Sequence, residues 1–119
     1  MGKKSRKTLL KERVAELNDI FSEVPAEKMK VAGQMIIRVA KMEFYLLDLE
    51  AEIDEVGFVE HYQNGENQSG TKESTASRSY STVVKNYNSL VRTLLTLLPD
   101  DARQEASDGF DEFLQQRRR

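Results

Sequence analysis

The chain has 119 residues, enough for one domain with one modest core. It is 39% hydrophobic and 32% charged, too apolar for a wholly disordered chain, and its two prolines and six glycines leave few breaks in helices. The formal net charge is −2, there is no cysteine and there is a single histidine, His61, which excludes disulfides and thiolate metal sites and disfavours a histidine zinc site.

The start is basic. Lys3, Lys4, Arg6, Lys7, Lys11 and Arg13 are opposed only by Glu12. This stretch lacks the apolar run of a signal peptide, and no apolar stretch nears the ~20 residues of a membrane span, so the expected location is the cytosol. A first amphipathic helix follows in "LLKERVAELNDIFSEV", where Leu10, Val14, Leu17, Phe21 and Val24 share one face. Lys11, Arg13 and Glu16 fall on its polar side. Pro25 ends this helix or starts the next.

A second helix is expected from about Ala26 to Val56. Ala32, Met35, Val39, Met42, Leu46, Leu49, Ile53 and Val56 form one apolar stripe. Gly33, Ile37, Ala40, Phe44, Leu47 and Ala51 form another. At ~100° per residue the two lie roughly opposite, with Lys41, Asp48, Glu52 and Glu55 in one of the gaps. A helix apolar on two sides needs two partners: a third helix, and the first helix, another subunit or both. Gly57 suits a left-handed helix stop.

The joint "FVEHYQNGENQSGTKES" is expected to be a small β-hairpin or ordered loop. Phe58 and Tyr62 are its inward positions, and Asn64-Gly65 is its tight turn. Asn67 and Gln68 tie it through side-chain amides, Gly70 swings the chain onward, and Ser74 caps a third helix ending near Leu98. On that helix Ala76, Tyr80, Val83, Tyr87, Leu90, Leu94 and Leu97 share a face, which Val84, Val91, Leu95 and Leu98 widen. Pro99 stops it. The remainder reads as a polar tail with a short helix at "FDEFLQQ", closed by Arg117, Arg118 and Arg119.

The resulting fold class is all-α: a long antiparallel helical hairpin, an N-terminal helix and the shaped joint. Residues 1–25 form the basic helix, 26–99 the core and oligomerisation region, and 100–119 the tail. The basic start is a candidate site for backbone phosphates, with Arg78 and Lys85 as secondary positions. Asp48, Glu50, Glu52, Asp54, Glu55 and Glu60 make the middle acidic. A magnesium site would need further carboxylates converging from a second helix, and Asp100, Asp101, Glu105, Asp108 and Asp111 lack a convincing spacing for it. A solvated face is the simpler reading. His61 has no nucleophile set around it, and no phosphate-cradling glycine loop is present.

Gly57, Val59, Asn64, Gly65, Asn67, Gln68, Gly70, Lys72, Ser74, Ala76, Leu90 and Pro99 together give a pattern over about residues 46–99. That pattern resembles the short type of phage terminase small subunit. The resemblance implies a non-catalytic protein without cofactor or metal, in the cytoplasm of a host cell. Such a protein binds double-stranded viral DNA at a packaging-initiation site, assembles as a homo-oligomeric ring and presents the DNA to a large ATPase and nuclease subunit. It implies no DNA contact residue by residue. The alternatives are a small helical magnesium-dependent nucleotide hydrolase using Glu52 and Glu55, or a helical adaptor without nucleic-acid binding.

Overall fold

A computed structural model describes residues 3–66 and 68–117. The described chain is mostly helical, with helices α1 (Arg6–Ile20), α2 (Ala26–Val56), α3 (Thr75–Thr96) and α4 (Asp100–Arg117) and a two-stranded antiparallel sheet of β1 (Val59–Gln63) and β2 (Ser69–Glu73). It is elongated, 63 × 38 × 22 Å.

Local chemistry explains the helix limits. The Ser5 hydroxyl oxygen accepts a bond from the Thr8 N–H and opens α1. Pro25 sits at the N-cap of α2, and its carbonyl accepts from the Lys28 N–H. Gly57 ends α2 with φ 84°, a left-handed value that a side chain would strain. Ser74 is fully buried, and its hydroxyl accepts from the Ser77 N–H at the start of α3.

The face of α2 differs from the two opposed stripes expected. Ile36 and Glu43, both fully buried, fill the arc between them, so the stripes are the two edges of one broad face. α3 lies along one edge. Tyr87 meets Glu43, and Tyr80 shares a hollow with Ile53 nearer the hairpin. The other edge is covered at its middle by α1 and α4, where Phe44 packs on Phe113. Toward the ends it opens, leaving Ile37 and Ala51 exposed. One core cluster draws Leu17, Phe21, Ile36, Val39, Tyr87, Leu94 and Phe110 from all four helices. The doubly apolar helix is therefore satisfied along its middle within one chain, and a second subunit is not needed there.

The segment after Pro99 is also not a tail. It forms one helix, with Ala106, Phe110 and Phe113 buried. Its apolar positions recur at spacings of four and three, so "PDDARQEASDG" supplies the first turns and one of the anchors of an amphipathic helix.

The joint is a β-hairpin with Val59 opposite Glu73 and Gln63 opposite Ser69. Its details depart from expectation. Phe58 and Tyr62 are 68% and 40% exposed rather than inward. The turn is not a two-residue one, since the Asn64 N–H donates to the Gln68 carbonyl at 2.6 Å and Gly65, at φ 77°, begins the enclosed loop. The side-chain tie comes from Gln63, whose Nε2 donates to the Gly65 carbonyl, rather than from Gln68. Asn67 lies outside the described residues. Gly70 does not redirect the chain. It lies within β2, with the Tyr62 ring so close across it that a Cβ would sit 3.1 Å from the phenol oxygen.

Candidate nucleic-acid interface

The structure divides the basic amino end into two groups. Arg13, placed on the polar side by the sequence, is only 2% exposed. It follows Leu10 by three positions and precedes Leu17 by four, so it borders the buried face of α1 and points at α2. Its Nε and Nη2 donate to the two carboxylate oxygens of Glu43 at 2.7 and 3.0 Å, and its Nη1 donates to Glu16 at 2.9 Å. The Tyr87 hydroxyl donates to Glu43 at 2.8 Å. The guanidinium lies 3.9 Å from the Phe113 ring centre and 5.7 Å from that of Phe110. All four helices meet at this group, and no buried side-chain nitrogen or oxygen among the described residues lacks a partner. Arg13 is thus a structural cation and is withdrawn from the phosphate-binding set.

Burial disfavours the Arg13 charge, but the hydrogen bonds and attraction of Glu43 and Glu16 outweigh it and hold its pKa above the usual range. Burial first, and then the Glu43 charge and hydrogen bond, push the Tyr87 phenol well above its usual 10.0. The folded state keeps the Tyr87 proton at pH values where the unfolded chain releases it. Stability from this group is therefore complete below pH 10 and falls as pH rises above it. We expect a decline of up to about 1.4 kcal/mol per pH unit above about pH 10. Tyr87→Phe should remove that part of the slope, as urea titrations across pH 9 to 11 would read; an unchanged slope in the variant would assign it to other groups.

Arg6 is exposed yet engaged. It donates through both terminal nitrogens to Asp48 at 3.0 and 2.7 Å and lies 4.9 Å from the Phe44 ring centre. That hydrogen-bonded pairing raises its pKa against a smaller opposing effect of burial. Lys4 pairs with Glu12 at 2.7 Å in a contact that solvent screens. Lys3, Lys7 and Lys11 are exposed and have no carboxylate partner among the described residues. Lys7 and Lys11 stand one turn apart on the same flank of α1. The flank facing α4 is acidic instead. There Glu16, Asp19, Glu105, Asp108 and Glu112 line a cleft of about 420 Å³ that would repel phosphate. The six cations proposed from the sequence are therefore not equivalent in their surroundings. Two arginines fasten α1 to α2, one lysine is paired locally, and three lysines remain available.

The structure adds a basic stripe that the sequence reading missed. Lys30, Gln34, Arg38, Lys41 and Tyr45 recur at spacings of four, four, three and four on the outer surface of α2, and all are exposed. Their helical spacing was legible in advance. It was obscured because the two apolar stripes were read as occupying both sides of that helix. Arg78 and Lys85 are exposed on α3, with Arg78 in a loose 3.7 Å contact with Glu73. Arg118 and Arg119 lie outside the described residues, as does the side chain of Arg117.

The acidic second half of α2 stays a surface. Glu52, Asp54 and Glu55 are exposed. Among the described residues no group of three or more histidines or carboxylates is arranged to hold a metal ion. His61 is exposed on β1 opposite Thr71. No described helix is long and apolar enough to cross a membrane. Compared with protein-family models, curated proteins and solved structures, the chain matches none.

Proposed function

We propose that this chain is a non-catalytic DNA-binding subunit of the phage terminase small-subunit type. On this reading it works in the host cytoplasm, gathers double-stranded viral DNA and presents it to a large ATPase and nuclease subunit. α2 and α3 act as a long antiparallel helical hairpin carrying the β-ribbon at its end. The resembling positions support the reading as a unit: Gly57 stops α2, Gly65 starts the loop, Gly70 lies under Tyr62 and Ser74 caps α3. The observation that carries the DNA-binding part is the set Lys3, Lys7 and Lys11. Among the described residues these cations are exposed and have no carboxylate partner, while the neighbouring arginines are held by carboxylates.

Lysines of this kind meet phosphate oxygens and displace counterions, which gives affinity without base reading. A homo-oligomeric ring would repeat them around the DNA and raise avidity. α4 packs Phe110 and Phe113 into the core, so on this reading a large subunit would meet the described part of the carboxyl end as a packed helix rather than as a free tail.

The test is fluorescence anisotropy with duplex DNA over a salt series. Affinity should fall steeply with salt, and replacing Lys3, Lys7 and Lys11 by alanine should flatten the log–log slope by up to about 3. An unchanged slope would move the interface to Lys30, Arg38 and Lys41. Absence of binding at low salt would end the reading.

A further inference from the structure

The β-ribbon stands with both edges open. The Ser74 N–H donates to the Phe58 carbonyl at 2.8 Å, and the Asn64 N–H donates to the Gln68 carbonyl. Antiparallel pairs alternate, so in this register Glu60 and Tyr62 turn their backbone groups inward to Lys72 and Gly70. Val59, His61 and Gln63 turn theirs outward on one edge, and Ser69, Thr71 and Glu73 do so on the other. Among the described residues none of these outward groups has a hydrogen-bond partner. Val59 is 52% exposed, next to Phe58 and the exposed Val56. A lone two-stranded ribbon is marginal in water, and open edges of this kind take up further strands.

We propose that the β1 edge of one copy pairs antiparallel with the β2 edge of a second copy of this chain. Charge selects this pairing. If the register within the hairpin is repeated across the contact, Glu60 lies between its own Lys72 and that of the next copy, and Tyr62 comes beside a second Gly70. Pairing β1 with β1 about His61 would set Glu60 against Tyr62 and leave the carboxylate without a cation across that edge. The β1-to-β2 contact is head-to-tail, so it repeats from copy to copy and closes when the rotation allows. The inference deepens the assembly part of the function proposed above and rests on it.

His61→Pro tests the edge directly, because it removes an outward N–H that the hairpin itself does not use. Light scattering and native mass spectrometry should give an oligomer for the wild type and a monomer for His61→Pro, with the same circular dichroism. A wild-type mass for this variant would overturn the proposal while leaving assembly by another surface. The charge-exchanged Glu60→Lys/Lys72→Glu chain covers the case in which the proline disturbs folding. It should assemble with itself, yet co-purify with tagged wild-type chain at least about tenfold less than wild type does. Free mixing would overturn the proposal. A wild-type chain that is monomeric at every concentration would overturn both the edge pairing and the ring, with DNA binding judged separately by the salt series.

Discussion

Arg13→Ala should cost about 3–5 kcal/mol of unfolding free energy, because it leaves the Glu43 carboxylate buried without its cation. Glu43 is fully buried, and its remaining partner, the Tyr87 hydroxyl, does not neutralise it. The contrast lies in removing the whole group. Arg13→Met with Glu43→Leu eliminates both charges but orphans the Tyr87 hydroxyl, a loss of about 1–3 kcal/mol. Adding Tyr87→Phe should bring stability back near the wild-type value. Urea denaturation of the three variants reads this ordering. If Arg13→Ala cost under about 1 kcal/mol, as an exposed pair would, the ion pair would be shown to be solvated.

Ending the chain at Pro99 should abolish a single cooperative unfolding transition. α4 lays Phe110 against Phe21 at 5.9 Å and against Tyr87 at 6.4 Å between ring centres, and Phe113 against Phe44 at 6.0 Å. Without it the apolar surfaces of Phe21, Phe44 and Tyr87 meet water, and the Arg13–Glu43 pair loses its aromatic cover. Phe110→Ala is the milder form, with an expected loss of about 3–5 kcal/mol. Thermal melts and dye binding to exposed apolar surface would follow both. A free tail predicts no change in either, so an unaltered melt on truncation would refute the packed helix. Arg13 and Phe113 touch, so their substitutions should not add.

The limits of α2 and α3 were legible because they rest on short-range rules. A serine oxygen reaches an N–H three residues on, a glycine takes a positive φ, and apolar residues recur with the helical turn. The exposed lysines were partly legible, as members of a basic cluster. Their separation from Arg6 and Arg13 was not, since the carboxylates that engage those arginines lie 42 and 30 positions away. α4 was misread for a related reason. Its apolar anchors are sparse among acidic residues, and such a helix gains its stability from the surface it covers rather than from its own propensity.

The sequence by itself determined where the long helices begin and end, that a shaped joint lies between α2 and α3, and which positions were candidates for burial. Only the tertiary structure decided which cations are engaged in structure and which stay exposed, and that α1 and α4 of the same chain cover the middle of α2. The physical reason is that capping and periodicity act within a few residues. The fate of a buried charge depends on which helices converge around it, and that is fixed only when the core closes.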